Sequence, residues 1–192
     1  MLVTLIAAMA MAPQEGPKFV CPVVPGDALP ANAKAVEWNG AKFMFCCQGC
    51  EPKFTREPMK YIKERAEAGQ LAGQFLFDSV TGDLLNMRRA KFHMAYKGIN
   101  YSFTKEENFN TFKANPAKFA TMPEKEVMTC PVMGEKVASY GEASAYVDFQ
   151  GVRYYTCCAG CNEPLRKDPA KYAKDWAAKA TAPVVRQPKA AE

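Results

Sequence analysis

The apolar positions of this chain fall into short bursts that recur with one internal spacing three times over. Residues 36–62 read VEWNGAKFMFCCQGCEPKFTREPMKYI, residues 94–120 read MAYKGINYSFTKEENFNTFKANPAKFA, and residues 147–173 read VDFQGVRYYTCCAGCNEPLRKDPAKYA. The stretches align without a gap, and the matches sit at physically meaningful places. They share a glycine (Gly40, Gly98, Gly151), an apolar knob (Phe54, Phe112, Leu165), a proline (Pro58, Pro116, Pro169) and an aromatic three residues later (Tyr61, Phe119, Tyr172). A period near fifty residues points to tandem modules. Within each, Asn39-Gly40, Lys97-Gly98 or Gln150-Gly151 sits between two β-prone runs, which predicts a tight hairpin with a turn glycine at positive φ. A helix is expected from about Cys50 or Cys161, with Pro52 and Pro164 tolerated in its first turn. The second proline then breaks it, and a short helix follows. Trp38, Tyr96 and Phe149, just before the turns, read as hairpin core.

The pattern predicts an α+β chain of three small repeats, 13–70, 71–122 and 123–176, each a knuckle turn, a β-hairpin and one or two short helices. Residues 1–12 form an uncharged apolar run that ends at Pro13-Gln14-Glu15-Gly16-Pro17 and is too short to anchor a chain stably in a bilayer. It reads as a secretory signal with a cleavage site after Ala10 or Ala12, and hence as a mark of export to a periplasm or the exterior. A frayed N-terminus on a cytoplasmic protein is the plainer alternative. Residues 177–192, rich in Ala, Lys and Pro, read as a disordered tail.

Cysteine placement changes the picture most. All eight fall into two groups, Cys21, Cys46, Cys47 and Cys50, then Cys130, Cys157, Cys158 and Cys161. Each group runs Cys-Pro-Val, a gap of about two dozen residues, then Cys-Cys-x-Gly-Cys. A hairpin end and the first turn of the next helix lie close together, so three or four thiolates can converge there with the knuckle cysteine. Such a set suits Zn in a tetrahedral site or Cu(I) in a low-coordinate one, about two ions per chain. The helix N-terminus is expected to lower the thiol pKa of Cys50 and Cys161, and Gly49 and Gly160 to let backbone approach the sulfurs. The middle repeat has Asp78, Thr104, Lys105 and Asn108 at the corresponding positions, which leaves it a packing unit. His93, the only histidine, reads as an ordinary surface or half-buried imidazole. Met128 and Met133 lie near the second cysteine group but more often such residues fill core gaps. The net charge of +5 is spread without a basic stripe, which argues against a nucleic-acid partner.

The sequence resembles the YHS family and the related TRASH metal-binding domains. Cys46 with Cys50 and Cys157 with Cys161 match the Cys-x3-Cys pair, and Cys21 and Cys130 match the upstream cysteine. Asn115 to Phe119 and Asp168 to Tyr172 match the closing Asn/Asp-Pro-x-Lys-Tyr, and Phe92-His93-Met94 stands where the family has Tyr-His-Ser. The resemblance implies a treble-clef-like fold and heavy-metal binding in sensing, storage or traffic, with a metal donor or acceptor protein as partner. The upstream gap is longer than the TRASH pattern, and Cys47 and Cys158 are additions to it, either fourth ligands or bystanders. Other readings of the cysteines are disulfides, a structural Zn staple in an interaction module, and a thiol-disulfide redox protein. No Ser-His-Asp set or phosphate-cradling loop suggests an enzyme.

Overall fold

The computed structural model describes residues 16–26 and 29–188, so the apolar segment 1–12 lies outside the described residues. Three hairpins are present, each followed by two helices. The first pairs β1 (Lys34–Trp38) with β2 (Ala41–Phe45) and leads into α1 (Cys50–Arg56) and α2 (Pro58–Glu67). After β3 (Gly73–Phe75), the second pairs β4 (Phe92–Tyr96) with β5 (Ile99–Phe103), followed by α3 (Glu106–Ala114) and α4 (Pro116–Phe119). After β6 (Lys125–Val127), the third pairs β7 (Ala145–Phe149) with β8 (Val152–Thr156), followed by α5 (Ala159–Lys167) and α6 (Pro169–Ala173). The chain is α+β, as its pattern predicts.

The turns carry the expected chemistry. Asn39, Lys97 and Gln150 have φ of 49°, 47° and 49°, and Gly40, Gly98 and Gly151 follow at 79°, 78° and 77°. Two consecutive positive φ values match the twist of the flanking strands. Proline opens α2, α4 and α6, where its missing N–H is one of the unpaired groups of a first turn. The side chains of Asn115 and Asp168 cap α4 and α6 by accepting from the N–H of Lys118 and Lys171. α5 starts two residues before Cys161, which leaves Pro164 inside the helix rather than in its first turn.

The first two hairpins are joined in one five-stranded sheet of order β1-β2-β3-β5-β4. The short β3 links them, antiparallel to β2 through Ala41↔Phe75 and parallel to β5 through Gly73↔Ile99. The third hairpin forms a separate sheet of order β6-β8-β7. Inward positions alternate along the strands. Phe43 and Phe45 of β2 meet Phe54 of α1 at ring separations of 4.6 and 5.5 Å, and Tyr101 and Phe103 of β5 meet Phe112 of α3 at 4.8 and 5.2 Å. Tyr146 and Tyr155, from β7 and β8, close this core against Phe77 at 5.3 and 5.8 Å. On the other side of β8, Val152 and Tyr154 join Val127, Leu165 and Ala173 in a second, smaller core.

Two features depart from the pattern. Arg153 in β8 is fully buried: it is bidentate to Asp148 at 2.7 Å, donates to the Thr121 hydroxyl at 2.9 Å and lies 3.9 Å from the Tyr146 ring centre. The C-terminal segment, expected to be disordered from residue 177, is docked by contacts that run from Thr181 to Gln187. Thr181 bridges to Glu126, Arg186 bridges to Glu37 and pairs with Glu126, and Trp38 Nε1 donates to the Pro183 carbonyl at 3.1 Å. Those partners lie far away in sequence, so composition gave no sign of them.

Candidate metal centres

Each thiol cluster is assembled from three local structures. Val20 N–H donates to Leu71 O at 3.0 Å and so fixes the strand-like entry to Cys21. Cys46 is the first residue after β2, and Cys50 is the first of α1. In the third unit the knuckle is closed by Cys130 N–H to Glu135 O and Gly134 N–H to Cys130 O, both 2.8 Å; Cys157 follows β8, and Cys161 lies in the first turn of α5. The Sγ atoms of Cys21, Cys46 and Cys50 all lie within 4.8 Å of one another, as do those of Cys130, Cys157 and Cys161. A cation with bonds of about 2.3 Å to each sulfur places the sulfurs about 3.8–4.0 Å apart. The Cys46 to Cys50 separation is 3.8 Å. Both donor sets therefore fit a thiophilic ion.

Six of the eight predicted cysteines are thus gathered into two sets of three. Cys47 and Cys158 are exposed and belong to neither set, although their sulfurs stand 3.2 and 3.4 Å from Cys50 and Cys161. All eight are free thiols.

The electrostatics invert one expectation. Cys50 and Cys161, at the helix starts, have thiol pKa values raised rather than lowered, by burial and then by neighbouring thiols. Burial pushes Cys46 up as well, and Cys157 up to about 11. The thiolate is favoured at the knuckles instead. Burial works against ionisation of Cys21 and Cys130, yet the N–H groups of Cys46, Val24 and Val23, and of Cys157, Met133 and Val132, outweigh it and lower both. In each pocket the knuckle thiol is therefore the easiest to ionise, and a cation must displace protons from the two others against their raised values. The Cys-Pro-Val turn was the sequence signal for these backbone donors. The glycines do not serve close approach: a Cβ on Gly49 would meet nothing within 4 Å, and one on Gly160 only Cys158 Sγ at 4.0 Å.

The middle unit keeps the same scaffold without thiols. Asp78 N–H donates to Asp83 O at 2.9 Å and Gly82 N–H to Asp78 O at 2.7 Å, the same turn as at Cys130. Asp78 Oδ1 accepts from the N–H of Val80 and Thr81 at 3.0 and 3.3 Å, and Asn108 Nδ2 donates to Asp78 Oδ2 at 2.7 Å. A carboxylate occupies the anion nest, and one hydrogen bond ties knuckle to helix where the flanking units have sulfur. His93 lies apart from both clusters. His93 Nδ1 and Ser102 Oγ share a hydrogen bond at 2.9 Å, and Ser102 Oγ also lies 3.1 Å from Gln74 Nε2 and from Asn100 Nδ2. Met128 packs against the main core, whereas Met133, whose N–H faces Cys130, has an exposed side chain. Among the described residues no helix is long and apolar enough to cross a membrane.

No protein-family model matches the chain, and no curated protein or solved structure is significantly similar to it.

Proposed function

We propose that this chain is a metal-binding protein that holds two soft cations, Zn(II) or Cu(I), one in each three-cysteine pocket, for storage, delivery or resistance. The observation that carries this reading is the occurrence, twice, of three thiols from a knuckle, a hairpin end and a helix start within 4.8 Å of one another. Three thiolates leave a fourth position for an exchangeable ligand, as a site that releases its cargo requires. The Cys-x3-Cys spacing and the closing motif support a YHS- or TRASH-like unit in three copies, the middle one without metal. The apolar N-terminal run supports export, and a metal donor or acceptor protein is the expected partner. The reading needs no catalytic group.

Protein purified under reducing conditions holds about two equivalents of metal by elemental analysis, and Cys50→Ser and Cys161→Ser each remove about one. Full loading of the double variant would refute it. A structural role for the ion in the third unit has one observation in its favour, the small core beneath α5. Slow exchange of that ion with a competing chelator, together with loss of structure on its removal, would select that role over delivery.

A further inference from the structure

The two exposed thiols that stand outside the metal sets occupy equivalent places. Cys47 and Cys158 each follow the last hairpin cysteine directly and precede, by three residues, the buried cysteine of the helix start. Each is the most exposed thiol of its group, and each has a buried metal-set sulfur, Cys50 or Cys161, at 3.2 or 3.4 Å. The other pairings are less well placed. Cys46 is half-buried, its separation from Cys50 is 3.8 Å, and a bridge between the adjacent Cys46 and Cys47 is strained. Each pocket therefore combines a thiol that an outside disulfide can reach with a resolving thiol that the metal needs.

We propose that each pocket is a redox-gated metal site, in which oxidation of Cys47 with Cys50, or of Cys158 with Cys161, by a small-molecule disulfide expels the ion. This rests on the metal-binding reading above. The Cys47 thiolate attacks one sulfur of the outside disulfide, forms a mixed disulfide and displaces one small thiolate. The Cys50 sulfur then leaves the cation and attacks Cys47 Sγ, forming the Cys47–Cys50 bond and displacing the second small thiolate. Two protein thiolates each lose one electron, the outside disulfide gains two, and the two small thiolates take up protons or the freed ion. With Zn(II), which has no redox chemistry, all the electrons come from sulfur. Only Cys21 and Cys46 remain in the pocket, two ligands where a protein zinc site uses three or four.

The test uses the full chain loaded with Zn(II), its metal content measured first, and oxidised glutathione as oxidant with a chromophoric zinc chelator as reporter. The expected result is release of both ions and a product four hydrogens lighter, whose peptide map shows Cys47–Cys50 and Cys158–Cys161 bridges. Cys47→Ser/Cys158→Ser protein, altered only at exposed positions outside the metal sets, should load normally and release zinc at least about tenfold more slowly, since the accessible attacking thiol is gone. Retention of zinc by the oxidised wild type, bridges in other pairings, or equal release by the variant would each overturn the proposal while metal binding stands. A chain that takes up neither Zn(II) nor Cu(I) sinks the metal-binding reading, and the gating with it.

Discussion

Asp78 shows how a carboxylate and one hydrogen bond can stand where the flanking units have thiols. Its carboxylate is buried, accepts two backbone N–H groups and takes the Asn108 amide at 2.7 Å. Asp78→Ala leaves two half-buried donors, on Val80 and Asn108, and the more exposed Thr81 N–H without their acceptor, and the expected loss is about 2–3 kcal/mol in urea unfolding. Asn108→Ala removes one bond only and should cost about 1 kcal/mol, so comparable losses in the two variants would show that the nest contributes nothing. Glu126 makes a second test at this scale. Burial holds its carboxyl above the usual carboxylate range, against the Tyr140 hydroxyl, which donates at 2.9 Å to both oxygens, and the Arg186 charge. The folded chain thus binds that proton more tightly than the unfolded chain, whose value is about 4.3. The stability contribution is full below that value and is lost as pH rises through the raised folded value. Comparing Glu126→Gln with the parent chain isolates the effect, and the variant's unfolding free energy should fall less steeply with pH across that interval. Parallel pH profiles would exclude it.

At the scale of elements, the hairpins were legible because their signal is local. Asn39-Gly40, Lys97-Gly98 and Gln150-Gly151 each dictate a two-residue turn, and the turn sets the register of its strands. The second and third glycines of this set offer a clean comparison, since Gly98 and Gly151 have nearly the same φ, 78° and 77°. A Cβ on Gly151 meets nothing within 4 Å, whereas one on Gly98 would lie 2.8 Å from the Ile62 carbonyl and 3.2 Å from Ala66 in α2. Gly151→Ala should therefore cost about 1–2 kcal/mol, the backbone strain alone, and Gly98→Ala about 1–3 kcal/mol more from overpacking. Equal midpoints in denaturant would mean that α2 does not sit on the second hairpin. That contact, like β3, had no local signal. Gly73-Gln74-Phe75 is too short for a periodicity, and its partners lie in two different hairpins. Arg153 was missed for a related reason: an arginine within a strand reads as solvent-facing until Asp148, Thr121 and Tyr146 are brought around it. The two cysteine groupings were legible because one spacing occurs in two copies. That Cys47 and Cys158 are exposed and stand outside the two groups of three was not, because adjacent residues differ in direction rather than in spacing.

In the molecule as a whole, the helices that complete the two thiol clusters are anchored in cores of very different size. α1 is anchored by Phe54, packed at a tilt against Phe43 and Phe45 within a core that runs through the five-stranded sheet to Tyr155. α5 is anchored by Leu165 in a cluster whose other buried members are Val127, Val152, Tyr154 and Ala173. An ion that bridges knuckle, hairpin end and helix start supplies folding free energy wherever apolar burial is scarce. Metal removal should accordingly loosen the two sites unequally. With a chelator and a reductant present, amide exchange in α5 and α6 should accelerate by roughly tenfold or more, the amount expected for loss of one or two kcal/mol of local stability. Exchange in β2 and β5 should change little, because Phe43, Tyr101 and Phe103 remain buried without the ion. Leu165→Ala, which removes apolar contact from the smaller core, should enlarge the chelator effect at α5. Equal acceleration at α1 and α5 would mean that core size does not set the dependence on metal, and that both ions are held as cargo alone.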